Sequence, residues 1–201
     1  MIVKQINGNI ELYGINNFVL IDTLDCGQAF RWSEVSKDCF AGFAYNRFLK
    51  IKFKDDRFIL YDTSIEDFEK IWKPYFDLDR DYSKIILKVS ENPVLRDAAT
   101  FAGGIRILKQ EPWETLCSFI ISQNNNIPRI KSIISRLCET FGEVHPSGLY
   151  TFPSAEVIAH KSLDDLQVLR SGFRAKYILD AAKKIASGEI DLEALRTADT
   201  D

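Results

Sequence analysis

Ser122-Gln123-Asn124-Asn125-Asn126 puts five short polar side chains in a row, of types that favour turns and caps over helix interiors. Capping a helix uses one or two of them. Three consecutive asparagines therefore leave at least one amide presenting its donor and acceptor outward, and the chemistry open to it is hydrogen-bonded recognition. A second candidate is Gly27 with Gln28. A glycine inside a strand-like run costs stability unless a bulge or a close backbone approach needs it, and Gln28 adds an amide beside it. Plainer readings exist for both: an αα-hairpin whose asparagines only cap, and a bulge glycine with Phe30 and Trp32 in the core. Metal chemistry is not written here. Cys26, Cys39, Cys117 and Cys138 stand far apart without a CxxC pair, and the only histidines are His145 and His160, so neither a zinc site nor an iron–sulfur cluster is expected. No cofactor is implied, and the cysteines are taken as reduced, with Cys117 and Cys138 in helix cores.

The elements around these residues follow from periodicity. Pro112 suits a first helical turn, and Trp113, Leu116, Phe119, Ile120 and Ile121 recur at helical spacing before the polar corner. After it, Pro128 marks a second first turn, Ile127, Ile130, Ile134, Leu137 and Phe141 form a stripe, and Gly142 is placed to cap it. The first sixty residues alternate at period two instead. Phe48–Lys54 and Arg57–Tyr61 predict a hairpin turning at Asp55-Asp56, and Cys39–Tyr45 adds a third strand. From Ser64, with Asp67 three residues on, the period becomes helical through Phe68, Ile71, Trp72, Tyr75 and Phe76. Ile85, Ile86 and Val89 suggest another helix, broken by Pro93. Ser154 and Ser162 start short helices, the second ending at Gly172, and Phe173 opens a longer one. The chain reads as α+β: an antiparallel sheet domain with helices over 1–95, then an all-α domain over 96–201.

With 201 residues, 46% hydrophobic and 27% charged, the composition is globular. No apolar run reaches the ~18 residues of a membrane span, and the start lacks a signal peptide's pattern, so an intracellular location is expected. The net charge of −3 argues mildly against a nucleic-acid partner, yet its distribution is uneven. Acids dominate Asp55 to Asp81, whereas Lys161, Arg170, Arg174, Lys176, Lys183 and Lys184 gather in the second half. Any nucleic acid would lie along that half.

Three separated strings carry a resemblance. FIISQNNNIPRI, preceded by QEPWE and followed by RLCETFG, resembles the helix–NNN–helix segment of the 8-oxoguanine DNA glycosylases. CGQAFRW at Cys26–Trp32 is similar to a string near the start of the same family, and LRSGFRAKYILDAAKKI to a later one, with Phe173 where the family commonly has Tyr. The resemblance implies a helix–hairpin–helix glycosylase fold, seen here in part, and excision of 8-oxoguanine with associated lyase chemistry. A glycosylase for alkylated purines is the alternative enzyme, which the NNN corner and CGQAFRW disfavour. A non-catalytic DNA-binding module is the other reading.

The implied roles follow residue by residue. The Gly27 carbonyl would accept from the N7 hydrogen that distinguishes 8-oxoguanine from guanine. Asn124 would occupy the space left by the extruded base. Phe173 would wedge the neighbouring step, and Arg129 and Arg174 would donate to the orphaned cytosine. The partner would be duplex DNA bearing 8-oxoguanine opposite cytosine, met by a monomer. Because the change at Gly27 would act on the base and not on the core, a methyl group there is expected to leave the fold nearly as stable. The family's catalytic Lys, on a helix–hairpin–helix, and its assisting Asp have no matching motif in the sequence. This chain alone is therefore expected to be inactive: incubation with an 8-oxoguanine:cytosine duplex and borohydride should trap no covalent adduct, and an adduct above background would place a nucleophile within it.

Overall fold

The computed structural model describes residues 1–196, and it forms two compact units dividing between Gln110 and Glu111. In the first, β1 (Ile2–Ile6), β2 (Asn9–Tyr13), β3 (Trp32–Ser36), β4 (Cys39–Ala44), β5 (Arg47–Lys54) and β6 (Arg57–Tyr61) make an antiparallel sheet in the order β1-β2-β6-β5-β4-β3. The hairpins turn on paired left-handed residues: Asn7-Gly8, Tyr45-Asn46 and Asp55-Asp56 all have positive φ. That is the handedness whose twist matches the flanking strands. The last of these turns is where the sequence puts it. The β1–β2 hairpin, which extends the sheet beyond β6, was not anticipated, although Asn7-Gly8 between apolar residues is a strong hairpin signal.

One face of the sheet is wet. Along β5, Leu49 and Ile51 are buried while Lys50 is exposed. The buried face packs on Phe68, Trp72, Tyr75 and Phe76, which come from the helical run of Ile65–Asp67, Phe68–Trp72 and Lys73–Tyr75 and the residue after it. Its middle segment is a wider, π-type turn, and Pro74, having no N–H to give to the preceding turn, favours that widening. Ser64 caps the run through Asp67 N, as its spacing predicts. At the centre, Trp32 donates from Nε1 to the Tyr75 hydroxyl at 2.8 Å. A short helix α1 (Leu20–Leu24) precedes Cys26–Trp32, and α2 (Tyr82–Ser90) and α3 (Pro93–Phe101) follow, with Asn92 capping α3.

The division at Gln110 lies well past the boundary near 95 that the sequence suggests, because residues 103–110 are laced back into the first unit. Thr23 Oγ1 donates to Gly104 O, and Arg106 N donates to Thr23 Oγ1. Gln28 donates from Nε2 to Thr23 O and Arg106 O and accepts from Leu108 N, while its own carbonyl accepts from Gln110 Nε2. The guanidinium of Arg106, 3% exposed, reaches the carbonyls of Asp77 and Asn16. Such side-chain-to-backbone links over long separations leave no periodic trace in a sequence.

The second unit carries α4 (Pro112–Ser122), α5 (Ile127–Phe141), α6 (Ala155–Ala159), a 3₁₀ turn (Asp165–Leu169), α7 (Arg174–Ala186) and α8 (Leu192–Arg196). Cys117, Ile121, Ile133, Ile134, Leu137, Leu166, Leu169 and Ile178 are buried in it. Cys117 and Cys138 lie buried in helices outside any disulfide, and burial pushes the Cys117 thiol well above its ordinary value. The turn opened by Ser162 and Asp165 closes at Arg170, whose φ is 51°, two residues before the expected Gly172. A 3₁₀ turn is tighter than an α turn and reaches its left-handed end sooner. Among the described residues no helix is long and apolar enough to cross a membrane.

Asp77 supplies a pH dependence. Burial by itself pushes its carboxyl up, but Lys109, Tyr82 and Arg80 all donate to it and hold it below the usual carboxylate range. A carboxyl depressed in the folded state stabilises the fold above the unfolded value of about 3.9, and that contribution is lost as pH falls through the folded value. Urea unfolding should therefore show stability falling below about pH 4. Asp77→Asn should flatten that acid limb while lowering stability at neutral pH; an unchanged acid limb would remove Asp77 from the account.

Candidate nucleic-acid interface

The corner between α4 and α5 separates its asparagines by task. Asn125 Nδ2 donates to Ile121 O and closes α4, and Asn126 Oδ1 accepts from Arg129 N and opens α5. Asn124 does neither. It is exposed, its φ of 47° is left-handed, and its side-chain amide has no hydrogen-bond partner among the described residues. The arithmetic of caps thus leaves one amide free, and the backbone turns it outward at a conformation Asn tolerates better than most residues. At the other end of α4, Glu111 caps through both oxygens, to Trp113 N and Glu114 N. In QEPWE the Glu before Pro112 is the capping residue, a duty its side chain performs two and three residues ahead.

The corner is held by Arg174. This side chain is 4% exposed, donates from Nε and Nη2 to Gln123 O, from Nη2 to Asn124 O at 3.0 Å, and from Nη1 to Ser171 O. Among the described residues no carboxylate pairs with it. The α4 carbonyl end supplies the negative potential instead, as a helix C-terminus does for a cation. Beside it Phe173, 54% exposed, lies with its ring under the Arg174 guanidinium at 4.5 Å and edge-on to Tyr177. Arg129 is exposed one turn into α5, and its guanidinium is without a partner among the described residues. Arg129 and Ser171 line a common cavity. Asn124, Arg129, Phe173 and Arg174 are therefore gathered in one unit, on one corner and the start of α7.

Gly27 belongs to the first unit. It sits in the irregular segment before β3, not inside a strand, and is half-buried with φ at 91°. The strand-like reading of Cys26–Trp32 holds only from Trp32 onward. The Gln28 amide, a candidate for outward recognition in the sequence, is engaged with Thr23 O, Arg106 O and Leu108 N.

Residues 117–200 match the model of the HhH-GPD superfamily base excision DNA repair proteins. The helical unit is thus similar to the base excision DNA repair proteins of that superfamily. Residues 12–116 match the model of the 8-oxoguanine DNA glycosylase N-terminal domain, and the chain belongs to the 8-oxoguanine DNA glycosylase family. The structure of MBOgg1 with a low-affinity DNA ligand superposes at a TM-score of 0.95 with 44% identity, covering 98% of this chain and 70% of that one. That of the Clostridium acetobutylicum 8-oxoguanine glycosylase/lyase with dsDNA containing cytosine opposite 8-oxoG gives 0.95 at 34% identity, covering 99% and 70%. The Saccharomyces cerevisiae N-glycosylase/DNA lyase is 43% identical over 102 residues, 48% of this chain and 27% of that protein. The chain thus spans about a quarter of that curated relative's length.

The positive φ at Gly27 overturns the expectation that a methyl group there is harmless. An L-residue in a left-handed conformation costs about 1–2 kcal/mol. Gly27→Ala should lower the unfolding free energy by about that much, measured in urea, before any effect on binding is counted. An unchanged midpoint would show that the segment relaxes to negative φ.

Proposed function

We propose that this chain is the damage-recognition part of a DNA glycosylase that, in the complete protein, removes 8-oxoguanine opposite cytosine from duplex DNA. The observation that carries the reading is the free Asn124 amide, turned outward beside an exposed aromatic ring. A glycosylase must extrude its base, which leaves a hole in the stack and an unpaired partner. Asn124 fills the hole. Phe173 enters the neighbouring step as an apolar wedge, at an unstacking cost of a few kcal/mol that the bound contacts offset. The missing hydroxyl, relative to the Tyr common in the family, removes a hydrogen bond and leaves the stacking surface.

Arg129 then reads the orphaned cytosine, whose N3 and O2 accept what a guanidinium donates in a fixed fork. Arg174 supports this reading through the backbone: on the carbonyls of Gln123 and Asn124 it fixes where the Asn124 amide stands. Direct donation to cytosine, the role the resemblance implies, requires it to leave those acceptors. The Gly27 carbonyl accepts from N7–H of the oxidised base and repels the N7 lone pair of guanine. The protein acts as a monomer in the compartment that holds the DNA, and strand cleavage belongs to the complete protein.

In the complete protein, Arg129→Ala should relax the preference for cytosine more than it slows excision opposite cytosine. A donor pair to a base edge contributes about 1–3 kcal/mol of discrimination. Single-turnover excision with each of the four opposite bases measures this, and an equal loss with all four would make Arg129 a phosphate-binding or structural residue.

A further inference from the structure

Next to the corner lies a cavity of about 360 Å³ that none of the roles above uses; Arg129, Gln167, Arg170, Ser171 and Gly172 are among its lining residues. Its chemistry is one-sided. Arg129 and Arg170 are both exposed, and neither guanidinium has an ion pair or hydrogen bond among the described residues. Among the described residues no carboxylate lines the cavity, and the amide of Gln167 is already given to Asp164. Ser171 is 1% exposed, and its Oγ is buried without a hydrogen-bond partner. A hydroxyl taken from water and left unpaired is a standing cost, which a ligand acceptor would remove. Gly172 and Ala175 bring the cavity to the N-terminal end of the 13-residue α7, where a helix favours negative charge.

The unpaired Arg170 guanidinium, an unpaired hydroxyl and a helix N-terminus define an anion site, with Arg129 at its rim keeping its fork for the base. We infer that this cavity takes a phosphodiester of the DNA backbone, on the strand that carries the orphaned base. Resting on the reading that the chain binds duplex DNA, the assignment to that strand comes from Arg129, shared between the cavity and the base. It comes also from the sequence neighbours of Gly172, since Phe173 follows it directly. The volume exceeds that of a single phosphate and admits the adjoining sugars. Arg170 is the diagnostic residue: it lines the site from a left-handed position, φ 51°, that no base-reading role explains.

That conformation makes a clean test possible, because Arg170→Gly removes the charge while relieving backbone strain. In the complete protein, dissociation constants are measured for an 8-oxoguanine:cytosine duplex and for an undamaged duplex at salt concentrations from about 50 to 200 mM. Arg170→Gly should weaken both duplexes by the same factor. It should also reduce the salt slope by about one phosphate's worth, so that the loss of affinity across that range becomes three- to fourfold smaller, roughly. Arg170→Lys should restore the slope, and Ser171→Ala should weaken binding with the slope unchanged. Wild-type affinity and slope in a folded Arg170→Gly protein would overturn the site while leaving the DNA-binding reading intact. Weakening confined to the damaged duplex would also overturn it, by making Arg170 a lesion contact. Failure of the unaltered protein to bind either duplex would remove the DNA-binding reading, and the phosphate site with it.

Discussion

A buried guanidinium bound to main-chain carbonyls is the constraint on which the corner between α4 and α5 depends. Arg174 spends its fork on main-chain oxygens of Gln123, Asn124 and Ser171. Placing a cation in an interior is costly unless its hydrogen bonds are met, and here they are met by the carbonyl end of α4. The bond network explains why the chain reverses so sharply there. Asn124 is held in a left-handed conformation, Asn125 and Asn126 can each cap a different helix, and the Asn124 side chain has no hydrogen-bond partner among the described residues. Lys could supply the charge but not the fork.

The first unit uses the same device with a neutral group. Gln28 offers its amide to three main-chain partners in residues 23–108 and its carbonyl to Gln110. Together with Thr23 and Arg106 it turns an irregular stretch after α3 into part of the sheet unit. In both places a long polar side chain does what a strand ladder does elsewhere, satisfying backbone groups that regular secondary structure leaves open.

What could be read from the chain without coordinates was what repeats or what counts. The period of Phe48–Lys54, the cap at Ser64, the prolines at 112 and 128, and the surplus of asparagines over helix ends all have local physical causes, and the structure has each where the residues put it. The β1–β2 hairpin has a local cause too, in Asn7-Gly8. The unit boundary, the irregular backbone at Gly27 and the duty of Arg174 were not legible. Each depends on partners far away in sequence: Arg174 and Asn124 stand fifty residues apart in the chain, and no spacing rule connects a guanidinium with a particular carbonyl. The resemblance located Arg174 at the interface without its bonds.

Because Arg174 grips carbonyls, which every residue type carries, the clamp is indifferent to the side chains it displays. Residue 124 can change identity without the turn losing its anchor, provided the newcomer accepts a left-handed backbone, for which Asn, Asp and Gly are suited. The corner therefore separates shape from specificity. The side chain shown at the tip can vary by single substitutions, within a range set by conformational tolerance there and not by the loss of packing that limits change in a core.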